Sequence, residues 1–184
     1  MTITIRPMKR ADLDQVAELE QAIFGEEAWT RQMLVGELDQ QPASRYYVVA
    51  EDGGRIVGYA GLLGAGWQGD VLTLAVTTDH WGHGIGSTLL EYLLAEADRR
   101  GCAEVFLEVR TDNSRAQRLY RRYDFTEIGI RRGYYQPSGA DALVMRRSRT
   151  GAQPAGGPEL NSGRRRASAD EEAVPGPGTT EEVR

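Results

Sequence analysis

Two stretches of the chain hold residues whose types and spacing could do chemistry. In Val105-Phe106-Leu107-Glu108-Val109-Arg110 a period of two sends Val105, Leu107 and Val109 to one face of a strand and Phe106, Glu108 and Arg110 to the other. A carboxylate in mid-strand is unusual. It serves either an ion pair, with Arg110 or another arginine, or a general base acting through water. The second stretch is Gly82-His83-Gly84-Ile85-Gly86, set between the apolar run Val71-Leu72-Thr73-Leu74-Ala75-Val76 and a long helical pattern. Glycines at alternate positions remove the Cβ atoms that hold a ligand off the backbone and free successive N–H groups to point one way, which suits a phosphate. The helical pattern puts Ile85, Leu89, Leu90, Leu93, Leu94 and Ala97 on one stripe, so its N-terminus, with unbonded N–H groups and a positive dipole end, opens at the loop. His83, between two glycines, stands there for its backbone rather than as a base. The spacing does not fit the G-x-G-x-x-G dinucleotide fingerprint, and a P-loop needs a Gly-Lys-Ser/Thr ending where the chain's only lysine is Lys9.

The elements that must position these groups are readable in order. Ile3 and Ile5 alternate with polar neighbours in a short strand that Pro7 stops. A helix starting near Arg10 to Asp12 carries Leu13, Val16, Ala17, Ile23 and Phe24 on one stripe. Glu20 falls on that stripe, either as a boundary residue or as a carboxylate aimed at a cationic substrate. Thr30 caps a second short helix with Met33, Leu34 and Leu38, ended before Pro42. Tyr46 to Ala50 and Arg55 to Leu62 are strand runs joined by Asp52-Gly53-Gly54, a hairpin signal, and with the Val71 run they form an antiparallel meander. Gly101 stops the long helix, and the strand bearing Glu108 lies parallel to the Val71 run because a helix makes the crossover. Asn113 caps a last helix with Ala116, Leu119, Tyr120 and Tyr123 at i, i+3, i+4 and i+7, which turns Tyr120 inward. Strands over Phe125 to Arg132 and Asp141 to Arg147 flank a Tyr134-Tyr135-Gln136-Pro137-Ser138-Gly139 loop.

With 184 residues and 40% hydrophobic content, the chain can bury one substantial core. Cys102 is the only cysteine and reads as inert packing in a turn. No charged leader with an apolar run opens the sequence, and no stretch approaches the roughly 20 apolar residues of a membrane span, so a cytoplasmic protein without a membrane partner is expected. The formal charge of −5 argues against general nucleic-acid binding. From Ser148 onward the chain holds Pro, Gly, Ser, Thr and charges without an aromatic residue. The expectation is one domain over 1–147 and a disordered tail over 148–184, with the Arg164-Arg165-Arg166 and Asp170-Glu171-Glu172 runs solvated.

A phosphate loop between strand and helix in a small domain resembles the acetyl-CoA site of the GNAT family of N-acetyltransferases. That family's R/Q-x-x-G-x-G/A loop aligns with Trp81-Gly82-His83-Gly84-Ile85-Gly86, Trp81 departing from its first position. The resemblance implies an α/β (α+β) fold: a mixed, mostly antiparallel sheet whose central parallel pair splays around acetyl-CoA, flanked by about four helices. It also implies that backbone N–H groups of Leu74, Ala75 and Val76 hold the pantetheine and carbonyl, and that Gly82, His83, Gly84, Ile85, Gly86 and Ser87 take the pyrophosphate. No metal is implied.

The segment Leu107-Glu108-Val109-Arg110-Thr111-Asp112-Asn113, then Ala116, Leu119-Tyr120 and Phe125, resembles the L-E-V-R-x-x-N-x-x-A-x-x-L-Y-x-x-x-G-F signature of protein N-terminal acetyltransferases of the RimI type. In that group the glutamate is the base, the asparagine contacts the cofactor and the tyrosine protonates the thiolate, roles that fall here to Glu108, Asn113 and Tyr120. Asp124 replaces the usual glycine before Phe125, where aspartate can still adopt the left-handed turn. The tyrosine-bearing loop makes Tyr134 and Tyr135 candidate acceptor contacts beside Glu20, and Glu26 and Glu27 would favour basic residues in the acceptor. The implied acceptor is the N-terminal alanine of ribosomal small-subunit protein eighteen, met by a monomer. A small-molecule amine N-acetyltransferase would use the same cofactor half. A non-catalytic acyl-CoA sensor would tolerate loss of the base and acid, both of which are present.

Overall fold

Alternating apolar residues and tight turns build the first half into an antiparallel ribbon. In the computed structural model, which describes residues 2–149, β1 (Ile3–Pro7), β2 (Arg45–Asp52), β3 (Arg55–Ala65) and β4 (Gln68–Val76) pair antiparallel in succession. Gly53 and Gly54 carry the β2–β3 turn with φ of 57° and 89°, the left-handed backbone that a two-residue hairpin requires. Helices α1 (Leu13–Phe24) and α2 (Arg31–Asp39) fill the β1–β2 connection, and Thr30 caps α2 by accepting from the Met33 N–H at 3.2 Å. Helix α3 (Ile85–Arg99) crosses from β4 to β5 (Glu104–Arg110), and α4 (Ser114–Arg122) leads into β6 (Thr126–Tyr135) and β7 (Ala140–Ser148).

The seven strands run in the order β1-β2-β3-β4-β5-β7-β6, and only β4 and β5 are parallel. Each face of the sheet buries its own core. On one side Leu89, Leu90 and Leu93 of α3 pack with Val57, Leu62, Leu107, Phe125 and Met145. On the other Leu13, Val16 and Leu34 of α1 and α2 pack with Tyr47, Val49, Tyr59 and Ala75. Cys102 is buried in the α3-side core, its thiol donating to the Gln68 carbonyl.

Two irregularities of β4 create the site. Its ladder with β5 lasts only from Gln68↔Glu104 to Val71↔Leu107, after which the strands part. Its register with β3 shifts where Val71 pairs with Leu62 and Thr73 with Gly61, leaving Leu72 as the extra residue of a bulge. One extra residue reverses the side-chain phase. Val71, Leu74 and Val76 therefore all meet the α3-side core, while Ala75 joins the opposite one.

The last two strands run further than the sequence reading has them. Strand β6 runs through Tyr135, so Tyr134 and Tyr135 lie at a strand end rather than in a loop, because pairing with β7 resumes at Tyr135↔Ala140. Strand β7 includes Ser148, and the Arg149 N–H donates to the Ala103 carbonyl at 2.8 Å, which carries the domain past residue 147. Of the tail assigned to 148–184, residues 150–184 lie outside the described residues. Asp124 has a φ of 65°, the left-handed turn its position calls for. No helix among the described residues is long and apolar enough to cross a membrane.

Candidate active site

Where β4 and β5 part, a cleft of about 790 Å³ opens on the α1 and α2 side of the sheet. Glu108, one residue past the last β4–β5 rung, stands on its floor. Burial raises its carboxyl above the ordinary value; Arg131 opposes that shift and the charge of Asp70 adds to it. Its cation partner is Arg131, at 3.2 Å and with a side chain 58% exposed, not Arg110. Arg110 is committed instead to Glu27 at 2.8 Å and to Asp112 at 2.9 Å.

Tyr120 reaches the same cleft from α4 and packs edge-on against Phe125, with 5.8 Å between ring centroids. Burial pushes its phenol up to about 12, and its hydroxyl has no hydrogen-bond partner among the described residues. It is therefore protonated at neutral pH with its O–H uncommitted. Asn113 lines the cleft at the start of α4, where its Oδ1 accepts from the Ala116 N–H at 3.0 Å and its amide NH₂ has no partner among the described residues. Tyr134 is half-buried over the floor, with Arg131 5.7 Å from its ring centre and Tyr135 edge-on at 5.1 Å. Glu27 ties the walls together, accepting from Arg110 of β5 and from the Ser138 hydroxyl of the β6–β7 turn. A second cavity of about 500 Å³ shares Phe24, Glu27 and Arg110 with the first, so the trough continues outward between the α1–α2 connection and that turn.

The expected cofactor half offers backbone donors. Gly82 and Gly84 have φ of 85° and 80°, and a Cβ at either would meet no atom, so left-handed backbone rather than crowding selects glycine there. The Thr88 N–H makes the first helical bond, to the Gly84 carbonyl at 3.0 Å. The N–H groups of Ile85, Gly86 and Ser87 precede it and are free to bind an anion. Leu74, Ala75 and Val76 lie past the last β5 partner, on an edge that can pair with an extended chain such as pantetheine. This donor set fits acetyl-CoA. Leu74 lines the cleft, whereas Ala75, Val76 and residues 82–87 are not among its lining residues. His83 is exposed at the loop. Trp81 spans the end of β4, its Nε1 donating to the Val76 carbonyl at 2.8 Å, with the Arg115 guanidinium 4.3 Å above the indole.

Of the candidate acceptor contacts, Tyr134 and Tyr135 line the cleft and Glu20 does not. It is fully buried beneath α2, where one carboxylate oxygen accepts from the Trp29 N–H at 3.0 Å and the other from the Tyr59 hydroxyl. Burial pushes its carboxyl up to about 7. Glu20 therefore fixes the entry to α2 and contacts no cleft surface. Sequence reasoning passed over Asp70 and Arg131 as site residues of the cleft, and named Glu27 only as an acidic residue facing the acceptor. Asp70 carried the same signal as Glu108, a carboxylate within a strand, but the apolar run from Val71 placed the strand start too late to include it.

A seven-stranded mixed sheet split at its parallel pair, with free helix N–H groups and a cleft lined by Glu108 and Tyr120 at the split, is the architecture of an acyltransferase of the GNAT type. The chain matches the Acetyltransferase (GNAT) family over residues 13–125 and belongs to that family. It is 43% identical over 150 residues to N-alpha-acetyltransferase RimI of Mycobacterium tuberculosis, covering 79% of this chain and 92% of that one. It is 31% identical over 141 residues to a putative ribosomal protein bS18-alanine N-acetyltransferase of Bacillus subtilis, covering 77% and 92%. The crystal structure of the ribosomal-protein-S18-alanine N-acetyltransferase from Escherichia coli superposes with a TM-score of 0.72 at 28% identity, over 84% of this chain and 98% of that one. The chain is an acetyl-CoA-dependent N-acetyltransferase similar to the RimI enzymes.

Proposed function

We propose that the chain transfers the acetyl group of acetyl-CoA directly to the α-amine of a protein N-terminus, the N-terminal alanine of ribosomal small-subunit protein eighteen being the acceptor. The observation that carries this reading is the meeting of Glu108 and Tyr120 in one cleft, at the point where β4 offers a free edge. An α-ammonium must lose a proton before it can attack, and Glu108, its carboxylate basicity increased by burial, accepts that proton through water. The free amine then forms the N–C bond while the C–S bond breaks. Tyr120, protonated and uncommitted, gives its proton to the departing thiolate; the second amine proton passes to the phenolate and restores the phenol, and Glu108 releases the proton it took to solvent. The N–H groups of Ile85, Gly86 and Ser87 would hold the pyrophosphate, and the β4 edge from Leu74 to Val76 the pantetheine.

A peptide acceptor, rather than a compact amine, is supported by the trough that runs past Tyr134 and between Glu27 and Ser138. The test incubates the protein with acetyl-CoA and short peptides differing only in the first residue, alongside polyamines and aminoglycosides. Acetyl groups are then located by mass spectrometry. Acetylation confined to the α-amine of alanyl peptides supports the reading, and predominant lysine or polyamine acetylation refutes it.

A further inference from the structure

Asp70 has no part in the transfer just described, yet it occupies the cleft floor. It pairs with Phe106 on the next-to-last rung of the β4–β5 ladder. Paired residues of neighbouring strands project to the same face, so Asp70 leaves the sheet on the side of Phe106 and Glu108, opposite Val71 and Leu107. It lines the same cleft as Glu108, Arg131 and Tyr134. Its carboxylate accepts from the Gln68 amide at 3.1 and 3.3 Å, a neutral donor, and Arg131 and Arg45 favour its charge without forming an ion pair with it among the described residues. Burial outweighs them and disfavours that charge.

The charges of the cleft do not cancel. Arg45 is bound to Glu37 at 2.6 Å, and Arg110 to Glu27 and Asp112. What remains on the floor is Asp70 and Glu108 against Arg131 alone, which gives its Nη1 to Glu108. Two carboxylates on one face with a single, largely exposed guanidinium are short of one cation.

We propose that Asp70 and Glu108 together form a seat for the acceptor's ammonium group, in which Asp70 supplies the charge that holds the amine while Glu108 receives its proton. The proposal rests on the amine-acceptor reading above. The transfer balances: one N–H bond of the ammonium breaks, its proton passes through water to Glu108, and the electron pair stays on nitrogen. Asp70 remains ionised and keeps accepting from a remaining N–H, which turns the lone pair toward the thioester. Asp70 is thus a substrate-holding residue and Glu108 the base, so their losses divide differently between KM and kcat.

The experiment compares Asp70→Asn with the wild-type full chain, using an alanyl peptide and its analogue with a hydroxyl in place of the α-amine. Peptide affinities are measured by calorimetry on the CoA-loaded protein. Asp70→Asn should raise the KM for the alanyl peptide at least tenfold, lower kcat by less than tenfold, and leave acetyl-CoA affinity and melting temperature unchanged. Wild type should bind the amine peptide at least tenfold tighter than the hydroxy peptide, and Asp70→Asn should lose that preference while binding the hydroxy peptide as wild type does. A KM within twofold of wild type, or equal weakening of both peptides, overturns the proposal. Glu108→Gln provides a check that does not depend on the Asp70 variant folding. With Asp70 intact it should still prefer the amine peptide, and complete loss of that preference would assign the seat to Glu108 alone. A wild type that acetylates polyamines and not the peptide refutes the peptide acceptor but not the seat, which the same KM comparison then reads on the polyamine.

Discussion

Replacing Glu108 by glutamine keeps the shape of the side chain and removes its ability to take a proton. The two readings of Glu108 differ in magnitude. If its role were the ion pair with Arg131, whose side chain is 58% exposed, its loss would be worth about 0–1 kcal/mol, a factor of five or so at most. As a general base it contributes about 10²- to 10⁴-fold, equivalent to roughly 3–5 kcal/mol of activation free energy. The pH dependence separates the readings again. Without the base, turnover draws only on amine that is already neutral; with an α-amine pKa of about 7.8 that is roughly one seventh at pH 7 and nearly all at pH 9, so Glu108→Gln should recover about sevenfold over that range. The assay is thiol release from acetyl-CoA with an alanyl peptide at saturating concentrations, accompanied by calorimetric acetyl-CoA affinity, which should not change. A variant within fivefold of wild type, or one whose deficit is the same at pH 7 and pH 9, refutes the base assignment.

Tyr120→Phe should lower kcat by about 10²-fold or more without rescue at high pH, since the thiolate still lacks its acid; normal turnover by stopped assay would make Tyr120 a core residue only. Glu20 binds its proton more tightly folded, at about 7, than unfolded, at 4.5. The native state therefore holds the extra proton between those values, and stability should fall by about 3 kcal/mol as pH rises through that window. Urea melts at pH 4.5 and 7 should show that loss in wild type and not in Glu20→Gln. Removing residues 150–184 should leave the melting temperature and peptide turnover nearly unchanged, because β7 ends at Ser148; a large drop in either would show that the tail contributes to the domain. Acetyl-CoA, and neither NAD nor ATP, should raise the melting temperature.

Local chemistry alone determined much of this protein. The Gly53-Gly54 hairpin, the Thr30 and Asn113 caps, the left-handed turn at Asp124 and the strand-loop-helix around Gly82 to Gly86 each depend on residues a few positions apart, where periodicity and turn preference act directly. The same alternation placed Glu108 on the face opposite Leu107, where it stands. Tertiary structure decided what each of those groups meets. Glu20 lay on an apolar helical stripe, but its burial as a carboxyl depends on the Trp29 N–H and on the Tyr59 hydroxyl, 39 positions away. Glu108 was legible as an outlier, yet its partner came from Arg131 of β6 rather than Arg110 on its own strand, because Glu27 from the α1–α2 connection had claimed Arg110. Asp70 joined the site only because a parallel ladder of four rungs sets it on the face of Glu108 before the strands part. Sequence period states which way a side chain points; the charge, water and partners on that side come from strands and loops that only the folded chain brings together.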